Sequence, residues 1–192
     1  MVRRLIASCV VVGVVVGVGV GKGVGVWLGV AVAGCWCVDG CGCGCCAWTM
    51  LLGLVGSRDG FSNQAFHETC DGCCPTITIV LLHNGRIFGG YTSIPWSSIG
   101  GPHADEEAFI FTLTDGTAIE EGGRPPCRLF QFQNRGYAVW HAKDQGPLFG
   151  AGAGADLGLN LDNMQRSRSN CGITYAIPRW VPRTKLSTHL VG

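Results

Sequence analysis

The chain has 192 residues, with 14 lysines and arginines against 13 aspartates and glutamates, and a formal net charge of +1. This length allows one domain with a hydrophobic core and is too short for two ordinary domains, so we expect one domain with tails. Because phosphate binding requires a clustered positive surface, the near-neutral total charge gives no reason to expect a nucleic-acid partner.

The N-terminal part of the chain is compositionally biased. Of the 25 residues at positions 10–34, 20 are Val or Gly, and the apolar run 5–34 is interrupted by charge only at Lys22. A basic start followed by such a run is typical of a signal sequence, and the run is long enough for one membrane-spanning helix. Lys22 near its middle would cost about 2.5 to 3.5 kcal/mol in a bilayer, and alternating Gly-Val is a poor helix former. Low-complexity sequence is therefore the favoured interpretation, with a cleaved signal, or membrane contact through residues 5–34, as the alternatives.

Cysteine use is concentrated in the same part of the chain. Six of the twelve cysteines lie between Cys35 and Cys46, without the paired spacing of a structural zinc site. We interpret this tract as part of a low-complexity segment over residues 1–47, although soft-metal binding is conceivable for thiols so closely spaced. A disulfide framework would require the secretory route.

Residues 48–178 have the varied composition of a globular domain. The first element expected is a short helix over residues 61–69, with Ser62 as its N-cap and Phe66 facing the core. Period-two alternation then predicts a strand over residues 76–82, with Ile77, Ile79 and Leu81 on one face. An Asn-Gly turn and a second apolar run over residues 87–91 complete a β-hairpin.

Two further strands follow. Residues 108–114 alternate, with Phe109, Phe111 and Leu113 on one face, and residues 129–133 are expected to direct Phe130 and Phe132 inward. Several antiparallel strands with one short helix predict a mainly β, α+β chain built as a two-sheet antiparallel sandwich. Residues 179–192 carry only basic charges and are expected to form a solvated basic tail.

The order of short motifs in the globular part resembles that of the TLDc domain, the module of the oxidation-resistance proteins. The opening residues Leu51-Leu52 and Gly56 to Ser62 carry this resemblance, and it continues to Gly172-Ile173-Thr174-Tyr175. The motif positions singled out as site residues are the following: Ser57, Arg58, Asp59, Gly60, Phe61, Gly89, Gly90, Tyr91, Trp96, Asp105, Phe109, Gly146, Pro147 and Gly150. Most of them have architectural roles, since Gly89-Gly90 permits close backbone approach and Asp59-Gly60 is turn chemistry.

The resemblance implies a two-sheet β-sandwich with short flanking helices, no cofactor and no small-molecule substrate. It also implies a role in protection against oxidative stress and, as in several members, binding and regulation of the vacuolar-type proton ATPase through its peripheral subunits. On this basis we expect a non-catalytic interaction module that is cytoplasmic or peripheral to organelle membranes. The alternative location is a membrane anchored through the N-terminal apolar run.

The sequence departs from the family at both ends of the domain. The Val/Gly/Cys tract replaces the usual helical lead-in before residue 48, and the usual closing strand is not recognisable after Pro178. Losing an edge strand would expose unpaired backbone groups and part of the core. A truncated gene product without autonomous activity is therefore a second interpretation of this chain.

Candidate catalytic groups can be named, but no established motif joins them. The sequence contains no nucleophile elbow, zinc-protease motif, Walker loop or dinucleotide fingerprint, and Gly150 to Ala155 lacks the ending of a phosphate loop. A hydrolase would have to bring together a nucleophile, a histidine base and an orienting carboxylate. The residues available are Ser57, Ser62, Cys70 and Cys171, with His67, His83, His103 and His141, and with Asp59 and Asp105.

Two other sites are weighed against simpler interpretations. Asp105-Glu106-Glu107 could bind a cation, but hard cations need six or more oxygens from a shaped loop, so solvated charges are favoured. Cys70, Cys73 and Cys74 could join the Cys35 to Cys46 tract in a redox or metal-handling protein. Because Cys70 is expected at the end of the helix, away from an activating positive charge, an inert thiol is favoured there.

Overall fold

Two antiparallel sheets and one short helix form the described part of the chain. The computed structural model describes the backbone of residues 13–15 and 27–32, and residues 62–81, 85–115, 122–123, 126–150 and 154–176. The first sheet has the strand order β1-β2-β3-β4-β6-β7 and the second has the order β11-β10-β9-β8-β5. The strands of the first sheet are β1 Gly13–Val15, β2 Trp27–Val32, β3 Thr76–Leu81, β4 Arg86–Thr92, β6 Phe109–Asp115 and β7 Cys127–Phe130. Those of the second are β5 Gly101–His103, β8 Val139–His141, β9 Leu148–Phe149, β10 Leu157–Gly158 and β11 Arg168–Ser169.

The helix α1 spans Asn63–Cys70 and confirms the predicted helix and its cap. Ser62 has an extended backbone and its Oγ accepts a hydrogen bond from the Ala65 N–H at 2.9 Å, which satisfies one of the free donors of the first turn. Phe66 is fully buried, as expected. Asn63 fastens the helix to the segment between β10 and β11, since its backbone N–H and its side-chain amide both donate to the carboxylate of Asp162.

The predicted hairpin is also confirmed. β3 and β4 pair antiparallel over six residues, from Thr76 opposite Thr92 to Leu81 opposite Ile87. The turn residues 82–84 lie outside the described residues, and Gly85 has a φ of 80°, the left-handed region that glycine adopts without steric cost. Ile77 and Ile79 pair with Tyr91 and Gly89 on one face of the sheet.

The two sheets meet where Phe149 of β9 lies against Gly90 of β4. A Cβ atom built at residue 90 would lie 2.5 Å from the Phe149 ring, so only glycine allows this approach. At residue 89 a Cβ would overlap the Thr78 carbonyl oxygen of the neighbouring strand. The close approach predicted for Gly89-Gly90 is thus present, and the β4–β6 pairing shifts register between Ile87 and Phe88.

Aromatic rings fill the space beside this contact. Trp96 is buried and meets Phe149 edge to face at a centroid distance of 5.6 Å, and it meets Phe66 of α1 in the same way at 5.5 Å. Its indole N–H donates to the Thr76 hydroxyl at 2.8 Å, so burial leaves no polar atom of the ring unsatisfied. Helix and both sheets therefore share one core.

The orientation predicted for the strand after residue 127 is wrong. Leu129 is the buried residue of β7, whereas Phe130 is 59% exposed and Phe132 is 50% exposed. β7 follows β6 in register, with Phe109 opposite Phe130 and Ile110 opposite Leu129, and it is Ile110 that enters the core. The aromatic residues of this pair therefore stand on the outer face of the first sheet.

Two stretches of the N-terminal apolar run are extended. β2 pairs with β3 over six residues and β1 pairs with β2 over three. Within the described residues, no helix is both long enough and apolar enough to cross a bilayer. The Cys35 to Cys46 tract and residues 177–192 lie outside the described residues.

We expect the Gly90→Ala variant to be destabilised by about 1 to 3 kcal/mol, because the added methyl group overpacks the contact with Phe149. Urea unfolding followed by circular dichroism measures the change. Gly136→Ala is the matched control, since a Cβ at residue 136 meets nothing within 4 Å and the residue is exposed. Equal stability of the two variants would contradict the inferred packing.

Candidate functional site

Asp105 organises the turn between β5 and β6. It is buried, and its carboxylate accepts hydrogen bonds from the Thr92 hydroxyl at 2.7 Å, from the N–H and hydroxyl of Ser93 at 2.7 and 2.6 Å, and from the Glu107 N–H at 3.1 Å. Both oxygens are thus engaged by the protein, whereas Glu106 and Glu107 are exposed. Within the described residues no three His, Cys, Asp or Glu side chains are placed to hold a metal ion. The Asp105 carboxylate therefore holds the end of β4.

Asp156 performs a similar task for residues 172–175. Its carboxylate accepts from the N–H groups of Gly172, Ile173, Thr174 and Tyr175 at 2.8 to 3.3 Å. Burial raises the pKa of Asp156, and these four hydrogen bonds oppose that rise. The loop so fixed returns to the first sheet, where Ala176 donates to the Phe130 carbonyl at 2.8 Å.

The remaining motif positions in the second sheet act through their backbone. A Cβ at Gly146 would lie 2.9 Å from the Leu159 carbonyl oxygen, and the Pro147 carbonyl accepts the Leu159 N–H at 3.1 Å. Gly150 has a φ of 75° and a Cβ there would overlap the Asp156 carboxylate. The positions Ser57, Arg58, Asp59, Gly60 and Phe61 lie outside the described residues.

Three histidines lie near one another, with His141 against the Trp96 ring, and His67 of α1 is fully partnered among them. Its Nδ1 lies 2.7 Å from the Asp71 carboxylate, and its Nε2 lies 2.9 and 3.0 Å from the carbonyl oxygens of Ala142 and Gln145. A ring that carries a proton on each nitrogen would donate to all three acceptors. The second oxygen of Asp71 accepts from the Ser98 hydroxyl at 2.6 Å. His67 therefore fastens α1 to the loop after β8.

His103 and His141 form a stacked pair on β5 and β8. Their ring centroids are 4.1 Å apart, and the Ser97 hydroxyl lies 2.9 Å from Nδ1 of His141. The Nε2 atoms of both rings are buried without a hydrogen-bond partner. Burial, and then the neighbouring His103, lowers the pKa of His141 from 6.5 to about 4. The His141 ring is consequently neutral at pH 7.

Neither serine in this cluster belongs to a complete hydrolase triad. Ser97 contacts His141, but the other nitrogen of that ring has no carboxylate to orient it. Ser98 contacts Asp71 directly, and His67 directs its remaining nitrogen at backbone carbonyls, leaving none for a nucleophile. Ser62 caps α1 and Asp105 holds β4. The catalytic candidates Ser62, His67 and Asp105 are therefore engaged in structural hydrogen bonds, and no triad joins them.

Four of the described thiols, those of Cys70, Cys73, Cys127 and Cys171, lack the environment that activates cysteine. Cys70 is fully buried at the end of α1. Burial raises the pKa of Cys73, of Cys127 and of Cys171, the last to about 11. Since the thiolate is the reactive form, raised pKa values make these three residues poor nucleophiles at neutral pH.

An aromatic strip covers the outer face of β6 and β7. Phe109 stacks on Tyr91 at a centroid distance of 5.0 Å and lies 6.4 Å from Phe130. The Arg128 guanidinium lies over the Phe109 ring at 4.5 Å, a cation–π contact. We define the strip as Phe109, Phe111, Leu113, Arg128, Phe130 and Phe132. Exposed aromatic and arginine side chains in one patch have the composition of protein interfaces.

Sequence reasoning named the three histidines but missed Ser97 as the partner of His141, and Asp71 with Ser98 as the polar groups beside His67. The Ser97–His141 and Ser98–Asp71 contacts join residues 44 and 27 positions apart and leave no local pattern, whereas His67 and Asp71 are only four residues apart. The strip did leave a signal, because Arg128 alternates onto the same face as Phe130 and thereby marks that face as the outer one.

Two packed antiparallel sheets with one capped helix, and glycines where the sheets touch, define a β-sandwich module. The family model of the TLDc domain matches residues 45–188, three quarters of the chain. This chain therefore belongs to the TLDc domain family, the module of the oxidation-resistance proteins. The match begins before residue 48 and continues past residue 178, so it includes much of the stretch interpreted from sequence as a basic tail. No curated protein matches the chain significantly.

We expect Asp105→Asn to lower the free energy of unfolding by about 1 to 3 kcal/mol, because an amide NH₂ would face hydroxyl and N–H donors in place of a carboxylate oxygen. Thermal and urea unfolding measure it. The neighbouring Glu106→Gln removes the same charge from an exposed side chain and should change stability by less than about 0.5 kcal/mol. Equal losses would argue for a charge effect instead.

Residue-resolved alkylation tests the thiols. With a pKa of about 11, Cys171 should react with iodoacetamide at pH 7.5 on the order of 100-fold more slowly than an unhindered cysteine of pKa 9.0. Mass spectrometry of digested full-length protein resolves this site from the other cysteines. A rate at Cys171 equal to that of free cysteine would contradict the inferred environment.

Proposed function

We propose that this TLDc module is a non-catalytic protein-binding domain whose aromatic strip is the contact surface. The observation that carries the proposal is the exposure of Phe130 and Phe132 on the same face as Arg128. Leu129 is buried while two phenylalanines are exposed, so apolar surface that could have packed in the core stays in contact with water. A partner that covers the strip would remove this surface from water.

The chemistry of the strip favours an apolar partner surface that carries carboxylates. Arg128 and Arg135 are exposed, and residues 126–137 contain no acidic side chain. Aromatic rings that are already stacked on one another lose little conformational freedom on binding. An arginine held over a ring is positioned to donate hydrogen bonds to a carboxylate of the partner. Such residues often dominate the binding energy of protein interfaces.

The partner proposed is the peripheral sector of the vacuolar-type proton ATPase, with a role in protection against oxidative stress. This part of the proposal rests on family membership and on the properties that the resemblance implies. A non-catalytic role is supported by the assignment of Asp105, Asp156 and His67 to structural hydrogen bonds. A cytoplasmic location, or one peripheral to organelle membranes, follows from such a partner.

The thiol alternative receives little support from the described residues. Cys127 and Cys171 have raised pKa values, and Cys70 is inaccessible in the core. Redox or metal chemistry would rely on Cys74 and on the Cys35 to Cys46 tract, which lies outside the described residues. Metal analysis of protein purified without added zinc or copper tests that tract directly.

We expect the double variant Phe130→Ser with Phe132→Ser to reduce capture of vacuolar ATPase peripheral subunits by the full-length chain at least about tenfold, since these are the most exposed aromatic residues of the strip. The matched control is Ile99→Ser, which removes an apolar side chain that is 90% exposed outside the strip. Its capture should equal that of the unmodified chain. Thermal unfolding of each preparation verifies that the variants are folded.

Each outcome of this experiment has a separate meaning. Capture lost in the strip variant and kept in Ile99→Ser supports both the partner and the surface. Equal capture by both variants places the contact elsewhere on the module. No capture by folded, unmodified protein overturns the proposed partner while leaving the strip open to another protein.

A further inference from the structure

We propose that the stacked pair His103 and His141 is an acid-sensitive latch, through which uptake of one proton releases β5 from β8. This inference is independent of the proposed function. It rests on the stacked rings, on their unpartnered nitrogens and on the position of β5 at the edge of the second sheet.

The closed pair has no place for a second proton on His141. If the ring were an imidazolium, Nδ1 could donate to Ser97, but the Nε2–H would be buried without an acceptor. The charge would also face the His103 ring at 4.1 Å. Two stacked imidazoles are favourable only while at least one of them is neutral.

The surrounding charges do not compensate for protonation. The groups that act on His141 from neighbouring elements are His103 on β5, and Asp71 and His67 at α1. Asp71 is the single carboxylate among them, and both its oxygens are already engaged, one by His67 and one by Ser98.

Other titratable side chains are more remote from the rings in contact. Arg135 belongs to a turn that packs against β5, and it would add to the positive charge. Lys143 and Asp144 follow β8 and are exposed, where solvent weakens their effect.

The strand that carries His103 is short and lies at the edge of its sheet, which favours its separation from β8. β5 has three residues and pairs only with β8 among the strands that the structure describes. Gly100, which precedes the strand, and Gly101, its first residue, have φ values of 89° and 98°, so β5 begins at two residues of unusual backbone freedom. Release of this short strand exposes both rings to water without disturbing β3 and β4.

The direction of the pH dependence follows from proton linkage. The open form binds a proton at the ordinary histidine pKa of 6.5, whereas the closed form binds it only at about 4. Opening is therefore favoured progressively as the pH falls from about 6.5 to about 4 and is constant below that range. One proton taken up makes the open population rise by up to about tenfold per pH unit within the window.

Hydrogen exchange of the full-length chain measures this opening. After correction for intrinsic exchange rates, protection of the backbone amides of Gly101, His103 and residues 139–141 should fall by up to about tenfold per pH unit below pH 6.5. The amides of β3 and β4 provide the internal comparison and should keep their protection. An equal fall at all these amides would indicate global acid unfolding and would overturn a local latch.

Two substitutions assign the effect to the histidines. His141→Asn keeps a side-chain group for Ser97 but does not titrate, so the fall in protection at β5 should disappear. His103→Phe keeps a ring stacked on His141 and removes the imidazole whose interaction lowers the pKa of His141, so the fall should end at a higher pH than in the unmodified chain. The exposed Glu68→Gln variant serves as control and should retain the original profile.

A wild-type slope in His141→Asn overturns the proposal. If that variant does not fold, His103→Phe decides the question, because an unchanged profile would show that the pair does not act as a unit. Observation of the His141 ring by NMR in the unmodified chain gives a further check. A ring that becomes protonated near pH 6.5 while β5 stays protected would also contradict the latch.

Discussion

The contact between the Phe149 ring and the backbone of Gly90 sets the distance between the two sheets, and the remaining core is arranged around it. Phe149 comes from a strand of only two residues, so its position depends on what it packs against and not on the length of β9. Gly90 provides a flat backbone surface, and Trp96 closes the space beside the ring. Phe66 in turn packs edge to face against Trp96, and this contact fixes the position of α1. Helix and sheets thus share one aromatic cluster.

Much of this arrangement could be predicted from sequence because local chemistry encodes it. Ser62 marks the start of α1, and the alternation from Thr76 to Leu81 with the following turn marks the hairpin. Hydrophobicity alone could not predict which face of β7 is buried, because Leu129 and Phe130 are both apolar. Only the tertiary arrangement decides which of them enters the core, and the more hydrophobic face of a strand need not be the buried one. The short strands β8 to β11 lie below the length at which periodicity is informative.

The polar cluster was less predictable for a different reason. His67, His103 and His141 were identifiable as titratable residues, yet apart from Asp71 their partners come from distant parts of the chain, and backbone carbonyls such as that of Ala142 leave no trace in side-chain identity. The same holds for Asp105, which a sequence places beside two acidic residues and the structure places beside Thr92 and Ser93. Its neighbours in sequence favoured a solvated loop charge, which is correct for Glu106 and Glu107 but wrong for Asp105, because its neighbours in space bury the carboxylate and supply its donors. Charge patterns in the sequence identify candidate functional residues, but their hydrogen-bond partners in the structure determine their roles.

Gly150 and Asp156 illustrate how one steric requirement links distant segments. The absence of a side chain at residue 150 leaves room for the Asp156 carboxylate, and that carboxylate holds four successive N–H groups of residues 172–175. The turn after β9 and the loop that leads back to β7 therefore depend on each other and form one structural unit. In an engineered chimera between members of this fold, the two segments would have to be exchanged together, since either one alone would meet a carboxylate that does not fit it.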